Sequence, residues 1–261
     1  MSANRVRSLI GTLTLAAVLV GCTGPGNGTG TSVAATSSGD LPAIIPITEQ
    51  AGAVATYARP FPDWLTIAGE SSVAAGEGGV YVMSGGAITP TIARVDPITN
   101  AMSSTFPAPD GSKALRAGLG GLWVSSPTRG TVSRLDPATG ATVATIKISS
   151  GGEDFLTVGF GSVWVLNNNA GTVARIDPST NTVTTRIQAT NIPIEGGDIA
   201  AGGGYVWARV TDALVAKIDP TTNMVIARYG PPSGSGSVAA NDQAVWISGH
   251  NKTTIWRLPL T

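Results

Sequence analysis

The chain of 261 residues has one cysteine, Cys22, and one histidine, His250. A single thiol excludes any intrachain disulfide, so stability outside the cell must come from packing. The same scarcity excludes every Cys/His zinc spacing. Charged residues are 12% of the chain and cancel to a formal net charge of zero. Nucleic-acid binding needs a basic stripe or face, and the sequence has none. There is no Gly-x-Ser-x-Gly nucleophile elbow and no phosphate-binding loop ahead of a helix. The N-terminal apolar stretch, Leu9 to Val20, is too short to span a bilayer as a stable helix.

That stretch follows Arg5 and Arg7 and ends in Leu19-Val20-Gly21-Cys22. A short basic region, an apolar core and a small-residue cut site make a targeting segment rather than part of a fold. With a Gly/Ser/Thr-rich stretch after it, the segment resembles a bacterial lipobox. The resemblance implies cleavage before Cys22, palmitate-type acylation of it, and an anchor on the extracytoplasmic face of the bacterial cell membrane. Several acyl chains hold a protein far more firmly than one. The plainer alternative is an ordinary signal peptide with a chance cysteine. Residues 1–21 are thus expected to be a lipoprotein signal peptide and 22–52 a flexible tether. Residues 53–261 carry the fold, although 41–52 are long enough to add one strand.

What is abundant is glycine, with 34 residues, and a unit of about forty residues that recurs five times. Each unit has an aromatic in an apolar strand: Tyr81, Trp123, Trp164, Trp207 and Trp246. Each then has a basic residue, Arg94, Arg134, Arg175, Lys217 and Arg257, in steps of 40, 41, 42 and 40. A fixed period of this length is one supersecondary module repeated. Each unit reads as four short strands, A to D. Gly-rich A–B turns such as Gly118-Leu119-Gly120-Gly121 supply the positive φ of tight hairpins. The C–D turns read Asp136-Pro137-Ala138-Thr139-Gly140 or Asp177-Pro178-Ser179-Thr180-Asn181. There Asp accepts turn N–H groups, Pro presets φ, and the last residue tolerates the left-handed region. Every detail of these turns serves geometry, so their Asp residues are read as structural, and the Trp series as packing between units.

Four-stranded units in tandem resemble the blades of a β-propeller. The phrase Gly-x-Gly-x-Val-Trp-Val followed by Arg-Ile-Asp-Pro is similar to the blades of bacterial YncE-like and streptogramin-lyase-like propellers, relatives of NHL propellers. The likeness covers about residues 53–261. The expected fold is therefore all-β, a single propeller of about five four-stranded blades. The last unit lacks strand D, and Ala53 to Pro60 resembles the strand D around Met224 to Pro231. The N-terminal strand is expected to complete the last blade and close the ring, which removes an exposed sheet edge. A closed ring predicts a monomer. An incomplete ring paired with a second chain is the alternative.

The resemblance puts the D–A and B–C loops on one face, the usual binding face. Those loops are irregular here, and loops on a rigid scaffold carry function. They supply the candidate ligand-binding residues Trp64, Lys113, Glu153, Asp154, Asn168, Glu195, Asp198, Arg209 and His250. Glu153/Asp154 and Glu195/Asp198 lie in adjacent units and are either solvated loop charges or oxygen ligands for Mg²⁺ or Ca²⁺. His250 is either a surface polar residue or a general base. The streptogramin lyases that the blades resemble use several His and Glu residues with Mg²⁺, a set that one histidine cannot reproduce. The expected function is a membrane-anchored ligand- or protein-binding module without a cofactor, meeting a cell-envelope partner. The alternative is a divalent-metal-assisted lyase or hydrolase.

Overall fold

A computed structural model of the protein describes residues 41–51, 54–55, 72–83, 90–99, 101–250 and 254–260. Cys22 and the signal-peptide segment lie outside these residues, as does Trp64. Among the described residues there are strands and one 3₁₀ turn, Ile47–Glu49, but no α-helix. Two strands precede the first full unit, β1 (Ile44–Pro46) and β2 (Val54–Ala55). The first blade is β3 (Ser72–Gly76), β4 (Gly79–Met83), β5 (Thr91–Val95) and β6 (Met102–Pro107). The second is β7 (Leu115–Gly118), β8 (Gly121–Ser126), β9 (Thr131–Leu135) and β10 (Thr142–Lys147). The third is β11 (Glu153–Gly159), β12 (Ser162–Asn167), β13 (Thr172–Asp177) and β14 (Thr182–Gln188). The fourth is β15 (Ile199–Gly202), β16 (Tyr205–Arg209), β17 (Val215–Asp219) and β18 (Met224–Gly230). The fifth is β19 (Val238–Ala240), β20 (Ala244–Ser248) and β21 (Ile255–Pro259), completed by β2.

The fold is an all-β propeller of five antiparallel sheets. Within each unit the strands pair in sequence order, with tight A–B and C–D turns fixing the register. Inner strands of consecutive blades lie against one another, from β3 to β7, β11, β15 and β19. The N-terminal strand takes the missing outer place, pairing Val54 with Arg257 and Ala55 with Trp256. The tether, however, does not run to residue 52. β1 pairs in parallel with β18 as a fifth strand of the fourth blade. Ile47, which follows it, is 1% exposed in the core between the fourth and fifth blades. An apolar Ile-Ile-Pro-Ile run is better buried on a sheet edge than left in water.

The turns follow the sequence reading. Gly140, Asn181 and Asn223 sit at φ 73°, 55° and 59°, closing the C–D turns. The A–B turns also place Glu77, Leu119 and Phe160 at positive φ, so the non-glycine residue enters the left-handed region with its glycine partner. Asp136 accepts the backbone N–H groups of Ala138 at 2.9 Å and Thr139 at 2.8 Å. Such bonds hold four turn carboxyls below their ordinary value of 3.8: chiefly from the backbone N–H of Thr99, Thr139 and Thr221 for Asp96, Asp136 and Asp219, and from the Ser179 hydroxyl for Asp177. A depressed folded-state pKa gives stability that is present above the unfolded value and lost as pH falls through the folded one. Thermal midpoints are therefore expected to drop between about pH 5 and pH 2. Replacing all four with asparagine keeps one acceptor oxygen per turn, so that drop is expected to shrink. An unchanged acid profile in the fourfold variant would remove the turn carboxylates as its cause.

The periodic residues form the joints between blades. Trp123, Trp164 and Trp207 are fully buried, each in a cluster with residues of the following blade. The indole N–H of Trp164 donates to the Gly159 carbonyl at 3.0 Å. The paired basic residue lies over the ring: the Arg175 guanidinium is 4.8 Å from the Trp164 centroid and that of Arg134 is 5.2 Å from Trp123. Arg175 also reaches the next blade's turn, donating to the Pro220 carbonyl at 2.7 Å and Asn223 Oδ1 at 2.8 Å. In the second-to-third and third-to-fourth joints, aromatic, base and Asp-Pro turn thus form a staple.

The seam between the fifth and first blades is covered differently. Trp246 is 38% exposed, although its four counterparts are fully buried. On the opposite side Val73 is 59% exposed, whereas Leu115, Leu156, Ile199 and Val238 at the same strand position are buried. Val80, Val82 and Val95 are likewise partly open where the other blades bury the matching residue. The two ends of the array are linked along the chain through the exchanged β2 strand, and among the described residues their outward surfaces are less covered than the four joints between consecutive blades.

Candidate functional site

Hydrogen bonds place the D–A and B–C loops together, because each B–C loop extends the A–B ladder of its own blade. The Asn168 N–H donates to the Gly152 carbonyl at 2.8 Å, that of Arg209 to Asp198 at 2.8 Å, and that of Ser248 to Ser237 at 2.9 Å. Two D–A loops and one B–C loop, of the fourth and fifth blades, meet around one carboxylate, that of Asp198. Its Oδ1 accepts the Ile199 N–H at 2.8 Å and its Oδ2 accepts the N–H of Val238, in the next blade, at 3.2 Å. Burial raises the Asp198 carboxyl above its ordinary 3.8, against the opposing pull of those N–H groups, of Arg116 and of His250. A raised folded-state value means that the contribution of Asp198 to stability is full below 3.8 and is lost as pH rises through the folded value. Both Asp198 oxygens already accept a backbone N–H, and what disfavours its ionised form is loss of water, which a further donor or a cation would offset.

His250 and Ser235 stand beside it. The His250 backbone N–H donates to the Ser235 carbonyl at 2.7 Å. Its Nδ1 lies 2.8 Å from Ser235 Oγ, which in turn donates to the Gly196 carbonyl at 3.3 Å. His250 is exposed. Arg116, on inner strand β7, contributes from two blades away and is the only charged side chain at its strand position, where the others are Ala74, Thr157, Ala200 and Ala239. Comparison of those five positions would have singled it out. Ser235 carries no such signal, because its place depends on how two loops cross.

The remaining candidates separate. Lys113 is half-buried, its ammonium 5.5 Å from the Phe155 ring centroid. Glu153 and Asp154 open β11, with Glu153 opposite Asn167. Glu195 is exposed and Asp198 half-buried. Asn168 is buried, its carbonyl accepting the Ile194 N–H at 2.7 Å. Arg209 is no surface contact at all. It is 1% exposed and its guanidinium donates to carbonyls of Leu214 at 3.0 Å, Ser233 at 3.1 Å, Gly234 at 2.7 Å and Ser248 at 3.3 Å, and to that of Val210. Burial pulls its pKa down to about 10, so it stays charged at neutral pH. Its role is to tie loops of the fourth and fifth blades together. Among the described residues no three His, Cys, Asp or Glu groups gather as a metal ion would require.

No protein-family model matches the chain, and no curated protein matches it. Solved structures match its fold. Virginiamycin B lyase from Staphylococcus aureus is 15% identical, with a TM-score of 0.60 over 73% of this chain and 66% of the lyase. U3-55K is 12% identical, with a TM-score of 0.61 over 72% of this chain and 67% of that one. Kuenenia stuttgartiensis hydrazine synthase is 11% identical, with a TM-score of 0.59 over 73% and 59%. The chain thus spans just under two thirds of the lyase and less of the hydrazine synthase. At these identities the likeness concerns the propeller alone.

Proposed function

We propose that the chain is a lipid-anchored propeller, held at the extracytoplasmic membrane face through Cys22, that binds a polar ligand or partner segment on the face bearing the D–A and B–C loops. The observation that carries the binding half is the crossing of loops that brings the half-buried Asp198 carboxylate beside the hydrogen-bonded pair His250 and Ser235. Donors and an acceptor from different blades suit a ligand that presents a hydrogen-bond donor or a cation to Asp198. The anchor rests on the lipobox-like sequence before Cys22. The working unit is a monomer, since β2 satisfies the edge of the last blade within one chain.

Variants of the full chain test each half. Cys22→Ser is expected to lose incorporation of a palmitate analogue and to move from the membrane to the soluble fraction. Retained label would remove the anchor. Cross-linking to cell-envelope extract is expected to recover a component with wild type that His250→Ala and Asp198→Asn lose while melting near wild type. Equal recovery by all three would rule out this face. In the same series Mg²⁺ and Ca²⁺ are expected to leave the melting temperature unchanged. A saturable rise lost in Asp198→Asn would instead support the metal-assisted lyase or hydrolase reading.

A further inference from the structure

The second blade and the loop that enters it form a cleft at a strand position where the next two blades carry an arginine. In the second-to-third joint Arg186, opposite Ala174, donates to the Ile148 carbonyl of the second blade at 2.7 Å. In the fourth blade Arg228, opposite Ala216, is buried and pairs with Asp212 of the same blade. The same strand position in the second blade is Thr145, and the residue opposite it is Ser133 rather than alanine. A short hydroxyl side chain stands where its neighbours send a guanidinium, and a cavity of about 250 Å³ opens there.

Apart from Pro109 its walls are polar. Thr131, Ser133 and Thr145 line it with hydroxyls, and Asp110 and Arg129 stand beside them as an ion pair 2.7 Å apart. Ser126 is 1% exposed, yet its Oγ has no hydrogen-bond partner. A buried hydroxyl without a partner is costly, and matching buried positions elsewhere avoid that cost. Asn167 in the third blade bonds Ser149 Oγ at 2.9 Å and the Gly151 carbonyl at 3.0 Å, while Val210 in the fourth blade is apolar. The cleft is therefore a departure from the repeat on two strands at once. The Ser126 hydroxyl itself is enclosed beneath the cleft rather than open to it.

We propose that this cleft binds a small neutral polyhydroxy compound, of the size of one hexose ring. Hydroxyls donate and accept at once, so a wall of serine and threonine matches a ligand of alternating hydroxyls. A carboxylate beside a guanidinium adds an acceptor and a donor fork without net charge, which favours a neutral ligand over an anion or cation. The volume equals roughly eight waters, enough for one ring and too little for a nucleotide-sized cofactor. The source is a free sugar or the terminal unit of a glycan.

Saturation-transfer NMR and titration calorimetry on the full chain test this with glucose, galactose, mannose and N-acetylglucosamine. Tetrahydropyran, the ring without hydroxyls, is the control. At least one sugar is expected to bind with a Kd of about 1 mM, and the control is not. Thr131→Val, which removes a hydroxyl from the cleft wall, is expected to weaken binding at least about tenfold, whereas Ser126→Val, whose hydroxyl is enclosed, is expected to leave binding unchanged and to raise the melting temperature. Thr145→Arg, the side chain that the next two blades carry, is expected to fold normally and to abolish binding by filling the cleft. A β-linked disaccharide separates the sources: tighter binding than the single sugar indicates a glycan end, weaker binding a free sugar. No binding by any of these sugars up to about 50 mM, or equal binding by wild type and Thr145→Arg, overturns the proposal.

Discussion

Arg209→Met is expected to lower the thermal midpoint by roughly 10 °C without changing the strand content seen by circular dichroism. The side chain is fully enclosed and supplies donors to carbonyls of two blades, among them Leu214, Ser233, Gly234 and Ser248. Methionine fills similar space but donates nothing, so several carbonyls lose a partner at about 1 kcal/mol or more each. Relief of the buried charge offsets part of this, which leaves a net loss of about 3–5 kcal/mol. In a domain of this size each kcal/mol moves the midpoint by about 2–4 °C. Lysine has one compact ammonium with three donors in place of the planar fork, and Arg209→Lys is expected to recover less than half of the loss. A midpoint for Arg209→Met within about 2 °C of wild type would mean that water replaces the guanidinium and the loops are not tied through it.

The second large effect is a contrast between two tryptophans of one sequence pattern. Trp164→Ala empties a closed joint and is expected to cost about 3–5 kcal/mol in urea unfolding. Trp246→Ala removes a ring that is 38% exposed, and about 1–2 kcal/mol is expected. Arg257 lies 5.7 Å from the Trp246 centroid, against 4.8 Å for Arg175 over Trp164, so the cationic partner is also looser. Equal losses at the two positions would show that the seam is covered as well as the other joints. The contrast also bears on function, since a less covered joint opens first in local unfolding.

The regular half of the molecule was legible because its signals are local. An Asp-Pro turn ending at Asn181 or Asn223, a glycine after Leu119, and an aromatic at a fixed offset each specify a conformation from a few consecutive residues. Even β2, distant in sequence from β21, was readable, since one unit lacked a strand and the chain offered one. β1 was harder to see as part of the fold: three residues carry no period, and parallel pairing to β18 needs the neighbour's edge to be known.

The candidate site was legible as a face but not as a set of residues. Arg209 and Asp198 both read as polar loop residues, yet one is enclosed by carbonyls and the other meets His250 and Arg116. Position along a loop does not say which way a side chain turns when three loops cross. The sequence by itself determined the blade, its turns, the count of five and the exchanged strand, because strand pairing and hairpin geometry depend on neighbours in the chain. Only the tertiary structure decided that Arg186 reaches the preceding blade while Arg228 is buried within its own, that a cleft is left at Thr145, and that Trp246 stays partly exposed. Filling a joint depends on the volumes that two blades bring together, and no single repeat contains that sum.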